Sequence, residues 1–265
     1  MLSLLNPAKQ RLENGELAIG VLLRQARTVD IAKIMKTCGY DYLFIDMEHN
    51  AMTLADAVQI CVAALDTGIA PIVRVPTMDL NLAAKILDNG ALGIIMPHVE
   101  SADEARQIVD NLKYPPTGHR SIDVHMPQFN FVRHDAGDAT RVLNEQTLIV
   151  ATVESQKGIK NAQEIANVSG IDVVFVGGND LMIDLGLPDQ PGHTKVIEAY
   201  ETVFEACKNA GVWAGMGGVY DRSLMDRYIS YGARMLLAGN DLRMMMSAAT
   251  DQATFLRGCL DPNAR

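Results

Sequence analysis

A chain of 265 residues is long for two small domains but fits one α/β barrel, which runs to about 250 residues. Hydrophobic residues make up 48% and charged residues 21%, which excludes a disordered or fibrous protein, and a net charge of −9 without a clustered basic patch argues against nucleic acid or an anionic membrane as the main partner. Cys38, Cys61, Cys207 and Cys259 form no C-x-x-C pair, the first fourteen residues lack the basic and long apolar regions of a signal peptide, and no apolar run is long enough to span a membrane, so reduced thiols and a cytoplasmic location are expected.

In chain order, apolar β-rich runs predict strands at 17–23, 42–46, 72–75, 93–97, 148–153, 173–176, 212–216 and 234–238. Helical periodicity between them predicts helices at 29–38, 54–65, 80–89, 102–111, 158–167, 194–210, 222–231 and 242–256. Thr53, Ser101 and Asp241 stand where N-caps belong, and Gly39, Gly68, Gly90, Gly170, Gly211 and Gly232 follow the helices where a left-handed residue ends a helix. The segment 114–145, with Pro115-Pro116, Gly118, Pro127 and Gly137, breaks the rhythm and reads as a functional or interface loop inserted after the fourth strand. Eight strand–helix repeats with strands apolar on both faces predict a single-domain (β/α)8 TIM barrel over 1–265. The competing doubly wound sheet would need a switch point, and no G-x-G-x-x-G follows the first strand.

In such a barrel the carboxyl ends of the strands open onto one face, so polar residues just past them converge. Glu154 after the fifth strand and Asp180 after the sixth are candidate ligands for a hard divalent cation; helix capping is the plainer use of both positions. His49 is a candidate general base, with Asp46 three residues earlier to hold its tautomer, while Glu48 is expected to point away from the cleft. Arg74, inside an apolar strand, needs an anion: either a substrate carboxylate or enolate, or Asp46 or Glu48 on the neighbouring strand. Gly178 and Asn179 would let backbone N–H groups approach a small carboxylate, and His98 faces the same cleft. Lys157 reads as a solvated helix start, which argues against a Schiff-base lysine. The methionines Met235, Met244, Met245 and Met246 read as core or subunit-interface filling.

The runs Ile45-Asp46-Met47-Glu48-His49, Val73-Arg74-Val75-Pro76, Met96-Pro97, Tyr114-Pro115-Pro116-Thr117-Gly118-His119-Arg120, Val153-Glu154 and Gly178-Asn179-Asp180-Leu181 together resemble the HpcH/HpaI aldolase family, the metal-dependent class II pyruvate aldolases. The resemblance covers about residues 5 to 257. It implies a (β/α)8 barrel whose last helix is exchanged between subunits, commonly in a hexamer, and cleavage of a 4-hydroxy-2-oxo acid to pyruvate and an aldehyde. It further implies that Glu154 and Asp180 hold Mg²⁺, Mn²⁺ or Co²⁺, that Arg74 steadies the pyruvate enolate, and that His49 with Asp46 moves the proton. Three positions depart from the family pattern: Gly177-Gly178-Asn179-Asp180 replaces Gly-Pro-x-Asp, Arg120-Ser121 replaces Arg-Gly, and Thr152 stands where Gln is common. The last two are expected to bear on the pocket for the aldehyde half. The rival readings are a CoA-thioester lyase of the citrate-lyase β type, disfavoured by His49 and the short C-terminus, and a catalytically silent scaffold, disfavoured because none of Glu154, Asp180, Arg74 and His49 is missing.

Overall fold

The computed structural model describes residues 2–259. Eight parallel strands close into a barrel in sequence order: β1 (Ala18–Leu23), β2 (Tyr42–Asp46), β3 (Ala70–Arg74), β4 (Gly93–Met96), β5 (Leu148–Val153), β6 (Val173–Gly177), β7 (Trp213–Gly217) and β8 (Ala233–Asn240). Closure is made by β8 pairing with β1, Ala18 opposite Met235. The helices are α1 (Pro7–Glu13), α2 (Asp30–Thr37), α3 (Leu54–Thr67), α4 (Leu80–Asp88), α5 (Ala102–Leu112), α6 (Ala136–Gln146), α7 (Gln156–Lys160), α8 (Ala162–Ala166), α9 (Gly178–Asp184), α10 (Thr194–Ala210), α11 (Arg222–Tyr231) and α12 (Asp241–Gly258).

The side-chain period of two divides each strand between two cores. Tyr42 and Phe44 of β2, Ala70 and Ile72 of β3, Leu148 and Val150 of β5, and Val173 and Phe175 of β6 fill the barrel interior. Their neighbours Leu43, Ile45, Val73, Ile149, Ala151, Val174 and Val176 face the helices. Continuing the inward parity by one step carries the chain from apolar filling to the polar mouth: Phe44 to Asp46, Ile72 to Arg74, Val150 to Thr152 and Glu154. The opposite end is stoppered by α1, whose Ala8 and Leu12 join the interior cluster. Its cap, the fully buried Asn6, accepts the N–H groups of Ala8 and Lys9 and donates to the carbonyls of Leu92 and Gln146 at 2.9 and 2.8 Å.

Local signals and structure agree at most boundaries. Thr53 and Ser101 form capping boxes with Asp56 and Glu104, and all six glycines expected beyond helix ends have positive φ. The cap of α12 is Asn240, whose side chain accepts the Arg243 N–H, and not Asp241, which is the first helical residue. The single helix expected at 158–167 is two short ones meeting at Asn161, whose side-chain amide instead donates to the Glu100 carbonyl.

The segment 114–145, expected as an inserted loop, is largely structured. It contains a 3₁₀ turn (Pro127–Phe129) and most of α6, and it has its own small core of Tyr114, Met126, Phe129, Ala139, Val142 and Leu143. Gln128 donates to the carbonyls of Leu87 and Ala91, just ahead of β4, so the segment lies at the barrel's amino-terminal end, away from the mouth. Arg120 is buried there, paired with Asp88 at 2.7 Å and stacked over Tyr114. The 120s, expected to bear on the pocket for the aldehyde half, thus do not reach the mouth of the barrel they belong to: the chain descends α5 and must return beneath the barrel to enter β5.

Candidate active site

The mouth of the barrel holds a cavity of about 240 Å³ whose lining includes Asp46, His49, Arg74, Glu154, Gly178, Asn179 and Asp180. All the residues singled out as catalytic, substrate-binding or metal-ligating thus meet in one place. The distance between them in sequence is erased by eight strands ending on one face.

Register decides the charge pairing. Asp46 and Arg74 are direct partners on adjacent parallel strands, and the Asp46 carboxylate takes Arg74 in a two-pronged pair, Nε to Oδ1 at 2.9 Å and Nη2 to Oδ2 at 2.8 Å. Burial opposes the Asp46 charge, yet the hydrogen bonds and charge of Arg74 outweigh it and hold the carboxyl below its usual range. Burial likewise opposes the Arg74 charge and the same bonds override it, raising its pKa. Arg74 Nη1 also lies 3.2 Å from Glu48 Oε2, and the guanidinium sits 5.2 Å from the Phe44 ring centroid. Of the five N–H donors of an arginine, Asp46 takes two, which leaves donors on both terminal nitrogens for a further oxygen.

Two expectations change here. Asp46 is committed to Arg74 and to the Glu48 N–H, and makes no hydrogen bond to His49. Glu48, expected to point outward, turns inward and becomes the hub. Its carboxylate lies 3.5 Å from His49 Nε2, 3.2 Å from Arg74 and 3.6 Å from His98 Nε2. Glu48 stands two residues from Asp46, on the same side of an extended chain, and the bend that begins at Met47 does not reverse it. His49 itself is half exposed at the rim, so solvent and substrate both reach it.

Glu154 lies at the deep side of the cavity and is almost fully buried. Its Oε1 accepts the His98 N–H at 2.8 Å, with His98 Nδ1 at 3.1 Å from the same oxygen. His98 achieves this double approach with a left-handed backbone, φ 53°, a conformation an L-residue holds only when its surroundings impose it. Burial, together with the negative charges of Asp180 and Glu48 and against the favourable contacts from His98, pushes the Glu154 carboxyl up to about 7. The other oxygen, Oε2, has room because residue 177 is glycine: a Cβ there would fall on it. At the next residue, a Cβ on Gly178 would fall on the Tyr200 hydroxyl, which donates to the Gly217 carbonyl at 3.0 Å.

This donor set fits a hard divalent cation. Two carboxylates, a spare Glu154 oxygen in a glycine-made recess and a carboxyl lifted to about 7, first by burial and then by the charges of Asp180 and Glu48, describe a place that a cation would stabilise. Among the described residues no group of three or more His, Cys, Asp or Glu converges as a metal cage. Glu154 and Asp180 would supply two carboxylates and leave the remaining positions to water and substrate, as Mg²⁺ and Mn²⁺ accept.

Among the cavity residues that sequence reasoning passed over are Arg24, Phe44, Phe175 and Tyr220. Parity would have found the first three, because Arg24 continues Gly20 and Leu22 of β1 and the two phenylalanines sit mid-strand on the inward side. Tyr220 lies in the loop after β7, where parity has no hold. Lys157, by contrast, is on the exterior as expected, paired with Glu100 at 2.9 Å.

A closed (β/α)8 barrel with acids, an arginine and a histidine gathered at its carboxyl-terminal mouth has the architecture of the barrel enzymes, whose active sites lie at that face. More specifically, residues 21–248 match the HpcH/HpaI aldolase/citrate lyase family, and the chain belongs to it. It is 34% identical over 264 residues to the 2-keto-3-deoxy-L-rhamnonate aldolase of Escherichia coli O1:K1, covering 99% of this chain and 97% of that one. It is 32% identical over 244 residues to the 4-hydroxy-4-methyl-2-oxoglutarate aldolase cghB of Chaetomium globosum, 91% of each chain. Among solved structures, the HpcH/HpaI aldolase from Desulfitobacterium hafniense DCB-2 superposes with a TM-score of 0.92 at 29% identity, covering 99% of this chain and 100% of that one. Macrophomate synthase superposes with a TM-score of 0.80 at 26% identity, covering 96% and 90%.

Proposed function

We propose that the protein is a class II aldolase that cleaves a 4-hydroxy-2-oxo acid to pyruvate and an aldehyde, reversibly, with a divalent cation at Glu154 and Asp180. The observation that carries this reading is the convergence in one cavity of a two-carboxylate recess, a buried arginine with spare donors and a rim histidine. The two aldolases cited above support it by their activities. A cation held by the two carboxylates would supply Lewis-acid stabilisation of the charge that develops on the 2-oxo oxygen.

The chain's own groups do the rest. Arg74, locked by Asp46, offers its remaining N–H donors to the substrate's oxygens and meets the negative charge of the enolate. The Gly178 and Asn179 amides, at the first turn of α9, face the 1-carboxylate. His49 takes the proton of the C4 hydroxyl as the C3–C4 bond breaks; the electron pair passes into the pyruvate enolate, and the imidazolium returns the proton at C3. Glu48 steadies the imidazolium in the role first assigned to Asp46.

The same reading extends to the assembly. No residue of α12 is buried, and Met245, Met246, Phe255 and Leu256 on it are exposed, a large apolar face for one helix. Exchange of this helix between subunits of a hexamer would cover it, and light scattering on the purified protein measures the mass. Four unpaired cysteines, two of them exposed, suit the reducing cytoplasm. No helix among the described residues is long and apolar enough to cross a membrane.

The deciding experiment is pyruvate C3–H exchange in D₂O, followed by NMR, with EDTA and then with Mg²⁺ or Mn²⁺ restored. Exchange that stops with EDTA and returns with metal supports the reading. Absence of exchange under every metal removes it.

A further inference from the structure

Arg24 is the first residue past β1 and lines the cavity. It is half-buried, and among the described residues its guanidinium has neither a hydrogen bond nor a carboxylate within ion-pairing distance. The acid beside it is engaged elsewhere: Asp241 accepts the backbone N–H groups of Arg24, Gln25 and Ala26 at 2.9, 2.9 and 2.7 Å. Asp241 therefore pins the backbone that carries Arg24 and does not act as its counter-ion. The cavity's other arginine, Arg74, is already neutralised by Asp46 and Glu48.

The position of Arg24 gives the unpaired charge a meaning. In the closed order β1 to β8, β1 stands four strands from β5 in either direction, so Arg24 and Glu154 face each other across the mouth. Between these poles the wall is apolar, made by Leu22, Phe44, Phe175 and Leu237. Beside Arg24, Asn240 spends its side-chain oxygen on the Arg243 N–H at 2.8 Å, which leaves its amide N–H donors for the cavity it lines. A cation and an amide donor wait at one end, while the metal recess occupies the other.

We propose that Arg24 is the specificity-determining residue for the aldehyde half, binding an anionic group at its far end, so that the substrate is a 4-hydroxy-2-oxo acid with a second anion. This rests on the aldolase reading, which places the pyruvoyl end against Glu154, Asp180 and Arg74. A partly desolvated guanidinium without a partner is costly, and a bound anion relieves that cost. The anion is a carboxylate or a phosphate, both matched by the guanidinium fork.

The test is aldol addition of pyruvate, with Mg²⁺, to succinic semialdehyde and glyceraldehyde 3-phosphate and to their uncharged counterparts butanal and glyceraldehyde, measuring kcat and KM for each aldehyde. At least one anionic aldehyde should exceed its counterpart in kcat/KM by about 10- to 100-fold, as expected of a charge-assisted hydrogen bond, and the pair that shows it names the anion. Arg24→Met should erase most of that ratio through KM, and Arg24→Lys should restore part of it. A wild type that takes charged and uncharged aldehydes equally, or an Arg24→Met that lowers both alike, overturns the proposal. Pyruvate C3–H exchange by the same wild-type sample separates the two failures: exchange without anion preference refutes the role of Arg24 alone, and no exchange refutes the aldolase reading beneath it.

Discussion

Replacing Glu154 by glutamine should stabilise the metal-free protein at high pH while destroying its response to metal. The Glu154 carboxyl, buried and facing Asp180 and Glu48, titrates near 7, against an ordinary value of 4.5. The unfolded chain releases this proton near its ordinary pKa, whereas the native chain keeps it until about pH 7. Between those values the native state binds the extra proton, so its stability falls as pH rises, and above pH 7 the whole penalty is present. The difference corresponds to about 3 kcal/mol. Glutamine keeps an oxygen for the His98 N–H and carries no charge, so Glu154→Gln should raise stability by up to about 3 kcal/mol at pH 8.5, roughly 5 °C in Tm for a chain of this size, and change little at pH 4.5. The assay is urea and thermal unfolding in EDTA at fixed protein concentration, from pH 4.5 to 8.5. A glutamine variant whose stability difference is flat across that range, or negative at pH 8.5, would refute the account of Glu154 as an uncompensated buried acid.

Other outcomes follow from the same geometry. Binding of Mn²⁺ should release close to one proton per site at pH 6 and almost none at pH 8.5, because metal and proton compete for Glu154; titration calorimetry in buffers of different ionisation enthalpy counts it, and equal release at both pH values contradicts the assignment. Arg74→Met leaves Asp46 and Glu48 without their cation, so it should cost about 3–5 kcal/mol of stability and abolish pyruvate exchange; a loss below 1 kcal/mol in urea unfolding would show the network to be slack. His49→Ala, at a half-exposed rim position, should change stability by no more than about 0.5 kcal/mol while cutting aldol cleavage by about 10²–10⁴-fold. An unchanged cleavage rate would remove His49 from the chemistry.

The strands, their inward parity and most helix ends are legible in the chain because each depends on residues within a turn or two of one another. Tyr42, Phe44 and Asp46 must share a face whatever surrounds them, and Thr53 with Asp56 closes its cap locally. The convergence of Asp46, His49, Arg74, Glu154 and Asp180 also follows from sequence once eight parallel strands are granted. Which charge meets which does not. Asp46 is held by Arg74 and not by His49 because barrel register sets residues 46 and 74 opposite each other, and Glu48 becomes the hub because three groups from β2, β3 and β4 close around it. The 114–145 segment lies below the barrel because α5 ends at the amino-terminal side and β5 begins there. Among the described residues Arg24 keeps its charge free beside Asp241, 217 residues away in sequence, whose carboxylate is taken up by the backbone amides of Arg24, Gln25, Ala26 and Leu242. Direction relative to a residue's own strand is a local property of the backbone; the pairing of buried charges is set by the closed barrel, where every donor and acceptor is shared with residues brought from elsewhere in the chain.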